Sequence, residues 1–423
     1  MQKEAGTLRQ VRLPGCKSLS ARALILAACS QGESLLGGLS RSQDTRTLLD
    51  ALRALGVEAT ETAEVTRLVG WGGVPRVHGV RIDLGAAATS LRLLLPLLAA
   101  GETDVTVTGT ARLFERPHAA LYEFLARHGA RVESLPTQGD RGGVRIRGSG
   151  LHGKVWEAPV RETSQILSGL LLTAGLCGGV RVRHQGPLPS SGYVDLTLEA
   201  LRLFRDPLAV QTGHGEWRVA PGIPSAFTGT LPGDPSAATF FLTALVLRGG
   251  RVIFQPGWSP VHPEARLQRL FFDHGLLEAD ENGLRFCGRL PGRLLEIDLD
   301  PAPDAGPALA VLGAVLPAGM LLKRASRLRL KESDRVEGIG RLAALFGRRL
   351  EIRGEDLFLA PLPDGEPAFP RKAAVPVFDP RKDHRLAMAA GVAALVLQNL
   401  DILDRSCVGK SFPRFWEELE AWK

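Results

Sequence analysis

A lysine and a serine follow a glycine turn in LPGCKSLSARAL (residues 13–24), and an arginine stands about one helical turn further on: Lys17, Ser18 and Arg22. The first turn of a helix carries backbone N–H groups that have no partner inside the helix, and it lies at the positive end of the helix dipole. A lysine and a serine at that point form a seat for a phosphate or a carboxylate. Comparable clusters recur along the chain. FERP (114–117) sets Arg116 before a proline, a residue favoured at the first helical position. Thr163-Ser164-Gln165 and Asp304 each run into an apolar stretch. KESDR (331–335) packs Lys331, Glu332 and Arg335 with a further acid into five residues, and DHRLAM (383–388) places an acid, His384 and Arg385 together. The chemistry on offer is neutralisation of a small, multiply charged anion, with carboxylates, a histidine and lysines at hand to move a proton.

The elements that must position these groups are six apolar stretches of helical length. They are ARALILAACSQG, SLRLLLPLLAAG, ILSGLLLTAGLCGG, AATFFLTALVLRGG, AGPALAVLGAVLPAG and LAMAAGVAALVLQN, each preceded by a polar cluster. Their closing residues, Gly32, Gly101, Gly179, Gly250, Gly319 and Asn399, recur at separations of 69 to 80 residues. A helix apolar on every side has to be buried. A second series is amphipathic and stops at a turn ahead of an expected strand: LLDALRALGVEA, LYEFLARHGARVES, TLEALRLFRDPLAV, RLQRLFFDHGLLEA and GIGRLAALFGRRLEI. Short alternating runs between them (DVTVTG, GVRIRG, GVRVRH, RVIFQP, LLEIDLD and LFLAP) read as strands. Six α/β modules divide most simply into two domains of three. The Pro/Gly-rich VAPGIPSAFTGTLPGD marks the crossover, and polar helix starts facing each other imply a cleft that closes on its ligand. Capping by Ser, Thr and Asp explains any one of these starts equally well; six together point to a ligand.

Composition narrows the classes. The chain has 423 residues, 44% hydrophobic and 23% charged, which suits a water-soluble protein of two or three domains. Aromatics make up 6%, so the cores are aliphatic. The net charge is +7, but no basic run with interleaved aromatics is present, and nucleic acid is not the expected partner. The cations are overwhelmingly arginine. Lysine occurs only at 3, 17, 154, 323, 331, 372, 382, 410 and 423, which singles out Lys17, Lys331 and Lys410, the three that sit in motifs. Five scattered cysteines (16, 29, 177, 287 and 407) without a CxxC suit reduced thiols in a cytoplasm and no zinc site. The N-terminal residues lack a signal-peptide core, and the apolar stretches are too short to span a bilayer. VGKS (408–411) imitates the end of a nucleotide-binding phosphate loop, but Asp404 occupies the position of its first glycine. HExxH and GxSxG are also missing, which excludes the metalloprotease and serine hydrolase readings.

Taken in order, LPGxKSxSxRAL, ERP, SQ before an apolar helix, SxxYxD, KESDR, DHRxAM and CxxKxFPxF cover nearly the whole chain and resemble the 5-enolpyruvylshikimate-3-phosphate synthase family (3-phosphoshikimate 1-carboxyvinyltransferases). The resemblance implies an α/β fold of two domains, each with three βαβαββ units around buried parallel helices, an inside-out α/β barrel. The expected division is residues 16–226 against 1–15 plus 227–423, with the active site in the cleft between them. The implied reaction is attack of the 5-hydroxyl of shikimate 3-phosphate on C2 of phosphoenolpyruvate, followed by loss of phosphate, in the shikimate pathway of aromatic amino acid biosynthesis. It requires no metal, nucleotide or flavin cofactor, and the implied partners are these two small molecules, with a monomeric chain. Carried over by motif, the shikimate 3-phosphate site comprises Lys17, Ser18, Arg22, Thr163, Ser164, Gln165, Ser190, Tyr193, Asp304 and Lys331. The phosphoenolpyruvate site comprises Lys17, Ala88, Arg116, Gln165, Arg335, Arg385 and Lys410. Lys17, Asp304, Glu332, His384 and Lys410 form the catalytic group, with Asp304 as the base near the hydroxyl and Glu332 and Lys17 handling the proton at C3.

The chain departs from the family pattern GNAGTxxR at residues 85–92, where Ala86 replaces Asn and Ala88 replaces Gly. Cys16 stands for the usual Ser, Ala21 for Asn, Thr163 for Ser and Arg327 for Asn. In this family Ala at the position of Ala88 is associated with tolerance of glyphosate, a longer competitor of phosphoenolpyruvate. Two rival readings stay open on sequence alone: the related transferase that uses UDP-N-acetylglucosamine, and a non-catalytic anion- or RNA-binding protein on the same scaffold. KSxSxR, KESDR and DHR favour the shikimate enzyme, and the retained ionic residues speak against a non-catalytic protein.

Overall fold

The computed structural model describes residues 7–205, 208–361, 375–397 and 399–423; Lys3, Lys372 and the Asp206–Pro207 pair of the third amphipathic stretch lie outside them. The chain forms two compact units, Gly15–Pro232 and Met1–Pro14 with Gly233–Lys423.

In the unit Gly15–Pro232 the helices are α1 (Lys17–Cys29), α2 (Gln43–Ala54), α3 (Ala88–Ala100), α4 (Ala111–Glu115), α5 (Ala119–Arg127), α6 (Gln165–Ala174) and α7 (Gly192–Phe204). Three are the apolar stretches, and they are buried as their composition requires. Every residue from Leu19 to Cys29 of α1 and from Ile166 to Ala174 of α6 is buried, as are Ala88 and Ser90–Ala100 of α3. Each large aliphatic side chain so removed from water contributes about 1.5–3 kcal/mol. Three four-stranded sheets share one plan, a parallel pair followed by an antiparallel hairpin. The clearest runs in the order Arg76–Asp83, Glu102–Thr110, Arg141–Ser149, Arg131–Gln138. Thr103, Val105 and Val107 alternate inward along its second strand, and Val107 faces Val144. The others are built on Glu33–Gly37 and on Val180–Arg183. Residues Thr228–Thr230 pair in parallel with Glu33–Gly37, which holds this late segment in the same unit.

The second unit repeats the plan with α8 (Pro235–Arg248), α9 (Pro263–Leu267), α10 (Leu270–Asp273), α11 (Gly306–Val315), α12 (Arg335–Leu345), α13 (His384–Ala394) and α14 (Phe415–Glu420). All of α11, Pro235–Leu247 of α8 and His384–Ala393 of α13 are buried. The N-terminal strand Leu8–Arg12 pairs in parallel with Arg251–Gln255, and Leu295–Asp298 pairs in parallel with Met320–Lys323. Among the described residues the third sheet has two strands, Val377–Phe378 and Asp401–Ile402.

Two local expectations change. Pro117 does not open a helix: Arg116 is the extended residue that ends α4, and His118 is the N-cap of α5. The stretch RLQRLFFDHGLLEA is not one helix. It breaks between α9 and α10 at Gln268, whose buried amide nitrogen donates to Pro235 O at 2.5 Å and Thr239 Oγ1 at 2.8 Å, and it finishes in the strand Leu277–Asp280. Gly101, unlike the other five closing residues, keeps a negative φ, and its N–H donates to Leu97 O.

Candidate active site

In the unit Gly15–Pro232 the start of α1 follows the turn that its sequence requires. Cys16 is the N-cap, and its Sγ accepts from Leu19 N at 3.4 Å, so sulfur does the work usually given to a serine oxygen. Lys17 Nζ lies 3.0 Å from the Asp44 carboxylate of α2. Arg22, one turn on, is fully buried. Its Nε donates to Thr197 Oγ1 at 2.8 Å, Nη1 to Ser18 O at 2.7 Å, and Nη2 to Ser168 Oγ and Tyr193 O at 3.2 Å each. Four of the five guanidinium donors are therefore engaged by carbonyls and hydroxyls. Burial pushes its pKa down to about 10, with Cys16 and Tyr193 opposing. Ser164 Oγ donates to the carbonyl of Ser190, a residue held at φ 54°, and Tyr193 N donates to the same carbonyl at 3.1 Å. Ser18, Arg22, Ser164, Ser190 and Tyr193 thus form one connected set.

A second set gathers at the starts of α3 and α6, neither of which carries a side-chain cap bond. Gln165 Nε2 donates to Thr89 Oγ1 at 3.0 Å, its Oε1 accepts from Arg92 Nη1 at 2.7 Å, and its backbone N donates to Thr163 Oγ1 at 3.2 Å. Arg92 Nη2 donates to Pro117 O at 2.9 Å, which pins the residue next to Arg116. Nε of Arg92 and Nε of Arg116 are both buried with no hydrogen-bond partner among the described residues. Burial, then the charge of Arg116, push the Arg92 pKa down to about 9, against weaker opposition from Tyr122 and Glu162. His118 donates through Nε2 to Leu113 O at 2.8 Å in its neutral form; burial, then Arg92, hold its pKa down to about 3. Ala88 is buried at the first position of α3. Arg92 escaped the sequence reading, although it closes the Gly85–Arg92 segment; that segment drew attention for its departures instead.

The second unit holds an ionic network. Arg335, 1% exposed at the start of α12, donates from Nε to Asp383, from Nη1 to Asp304 and from Nη2 to Glu332, each at 2.8 Å. Burial alone would lower its pKa, but Asp383, Glu332 and Asp304 outweigh that and raise it. Asp304 also lies 3.3 Å from Lys331 Nζ and 3.6 Å from Arg385 Nη2. Asp383 caps α13 by accepting from Arg385 N at 2.9 Å, and it takes a further bond from Ser333 Oγ at 3.1 Å. This fully buried acid organises both KESDR and DHR, and it too was missed as a site residue; its place as the first letter of DHR was the available signal. Nε and Nη1 of Arg385 are buried without hydrogen-bond partners among the described residues. His384 is buried at the start of α13, and Lys410 is 7% exposed on the turn Arg405–Lys410, which packs against that helix. The network joins Asp304, Lys331, Glu332, Arg335 and Arg385, an arrangement that offers carboxylates for proton transfer beside cations for an anion.

Comparison with known proteins gives these sets a context. The sequence model of the EPSP synthase (3-phosphoshikimate 1-carboxyvinyltransferase) family matches residues 3–419. A 3-phosphoshikimate 1-carboxyvinyltransferase of Escherichia coli O6:H1 is 32% identical over 417 residues, which are 97% of this chain and 95% of that protein. Its counterpart in Escherichia coli O1:K1 is 31% identical over the same span. Among solved structures, EPSP synthase from Acinetobacter baumannii superimposes with a TM-score of 0.76 at 23% identity, covering 98% of this chain and 95% of that one. The enolpyruvyl transferase NikO from Streptomyces tendae gives 0.73 at 17% identity, covering 99% and 95%. The two structures share the fold: mixed α/β, two domains, inside-out barrel.

Proposed function

The chain belongs to the EPSP synthase family, and from that premise we propose how its ionic sets divide the work of enolpyruvyl transfer. The enzyme moves the enolpyruvyl group of phosphoenolpyruvate to the 5-hydroxyl of shikimate 3-phosphate and releases phosphate, a step in aromatic amino acid biosynthesis. In the addition, the hydroxyl oxygen bonds to C2 while C3 gains a proton, which gives a tetrahedral adduct. In the elimination, C3 gives up a proton, the C2–C3 double bond returns, and the bond from C2 to the phosphate oxygen breaks. Two phosphates and two carboxylates have to be held throughout, which explains the density of cations.

Ser18, Thr163, Ser164, Gln165, Ser190 and Tyr193, with Lys17, Asp304 and Lys331, bind shikimate 3-phosphate in this reading. Arg22, with four donors already engaged, acts chiefly by holding Ser18 and Tyr193 in place and offers its remaining N–H to the ligand. Arg116, Gln165, Arg335, Arg385, Lys17 and Lys410 bind phosphoenolpyruvate, with Ala88 against it. Asp304 takes the hydroxyl proton, and Glu332 and Lys17 serve the proton at C3, with His384 and Lys410 completing the catalytic group. Arg92 and Asp383 join the assignment as positioning residues. The chain acts as a monomer in the cytoplasm. Its cysteines are free thiols, and among the described residues no helix is long and apolar enough to cross a membrane.

The observation that carries the assignment is the trio Arg92, Arg116 and Arg385, each with at least one buried guanidinium nitrogen that has no hydrogen-bond partner among the described residues. Calorimetric titration of phosphoenolpyruvate with and without shikimate 3-phosphate tests it, and the expected result is at least about tenfold tighter binding in the presence of the second substrate, a coupling of ~1.4 kcal/mol. Arg116→Ala should abolish the phosphoenolpyruvate heat and leave that of shikimate 3-phosphate. If the variant binds both like the wild type, Arg116 is misassigned. Phosphate release that proceeds with UDP-N-acetylglucosamine in place of shikimate 3-phosphate would overturn the substrate.

A further inference from the structure

The loop after the strand Val65–Val69 reads Gly70-Trp71-Gly72-Gly73-Val74, and no part of the transferase chemistry uses it. Its backbone is fastened to the far end of α1: Trp71 N donates to Ala28 O at 2.8 Å, Gly72 N to Ser30 O and Gly73 N to Cys29 O, both at 2.9 Å. Gly70 has to be glycine, because a Cβ there would meet Ser30 O at 2.3 Å. Gly72 and Gly73 have positive φ, and a Cβ on either would meet nothing. Pinned on one side and open on the other, the loop forms a wall of a cavity of about 610 Å³. Lys17 lies at the opposite end of α1, so the cavity is about 18 Å along the helix axis from the catalytic lysine.

Leu55, Val74, Val77, Leu176 and Ile223 supply apolar walls. Trp71 adds an aromatic wall, and its indole N–H is itself buried and outside the open surface. Arg76, at the start of the strand Arg76–Asp83, is exposed and has no ion pair among the described residues. Ligand sites combine this volume, mostly apolar walls and a few fixed polar groups. We propose that this cavity is a second binding site, for a small monocarboxylate with a flat apolar body: the ring rests on the aliphatic walls and the indole of Trp71, and the carboxylate pairs with Arg76. The three backbone bonds that hold the loop make the wall rigid before the ligand arrives, which lowers the ordering cost of binding.

The probe is 2-naphthoate, added to the full chain with 15N-labelled tryptophan. The protein has six tryptophans, and Trp71→Phe identifies the indole N–H signal of Trp71. The expected result is a saturable shift of that one signal below about 1 mM probe. Arg76→Gln, a change at an exposed position, should weaken binding at least about tenfold, as should replacing the probe by neutral 2-naphthamide. An unmoved Trp71 signal overturns the proposal. So does equal binding of the acid and the amide, or of the wild type and Arg76→Gln, since either leaves only unspecific apolar adsorption. The readout needs no turnover, so it stands or falls apart from the enzymatic assignment.

Discussion

At the scale of the residue, arginines of one type occupy two opposite environments. Arg335 donates to three carboxylates, whereas Arg92 and Arg116 crowd each other with spare donors. Sequence marks both as cations in motifs, but neutralisation depends on partners that no local spacing reveals. His118 shares the second environment, and its pH behaviour follows. The unfolded side chain takes a proton near its ordinary value of 6.5, the folded one only near about 3, so between those values the unfolded state binds more protons and stability falls as pH falls. Gln in its place can keep the bond to Leu113 O without titrating. On going from about pH 7.5 to about pH 4.5, His118→Gln should lose ~2 kcal/mol less stability than the wild type in urea unfolding. Equal losses would mean that the imidazole is not held neutral. Ala88, buried at the start of α3, carries a second residue-scale expectation. On the proposed assignment its methyl group stands against phosphoenolpyruvate and would penalise a longer competitor more, so Ala88→Gly should tighten inhibition by glyphosate by about 1–3 kcal/mol, and unchanged inhibition constants would refute the steric argument.

At the scale of the element, the apolar stretches were readable because a helix with no polar face has only the interior to occupy. Their junctions were not. Pro117 carries the residue type of a helix start, yet Arg92 holds its carbonyl from another helix, and the helix begins two residues later. Gln268 looks like one more polar residue of an amphipathic helix, but its amide is drawn inward to Pro235 and Thr239 and the helix ends there. The packing of α3 on α6 shows what such contacts decide. A Cβ on Gly169 would stand 2.4 Å from Arg92 O and 3.2 Å from Pro96 Cγ, so only glycine lets the two helices approach this closely. That approach sets Arg92 against Gln165. Gly169→Ala should therefore cost about 1–3 kcal/mol in denaturant unfolding and lower kcat/KM for phosphoenolpyruvate more than its stability loss explains. A variant as stable and as active as the wild type would show that the helices can part without consequence.

At the scale of the whole molecule, each unit buries cations at helix starts, and the unit Gly15–Pro232 does so with little acidic compensation. Arg22 and Arg92 hold their charge against burial, at a cost to the folded state. Anionic ligands that bind only the folded chain should offset this. Shikimate 3-phosphate at a hundredfold excess over its Kd is expected to add ~2.7 kcal/mol and to raise Tm by several degrees, with the gain shrinking as salt is added. A thermal scan that does not move with ligand would contradict the charge argument. Side-chain order alone determined the six buried helices, the strands between them and the polar groups at the helix starts, because periodicity and capping act within a few residues. Tertiary structure alone decided which cations are satisfied and which still seek an anion. The partners involved, Arg335 with Asp383 and Arg22 with Thr197, stand 48 and 175 residues apart, and only packing of the helices brings charges so distant in the chain within bonding range.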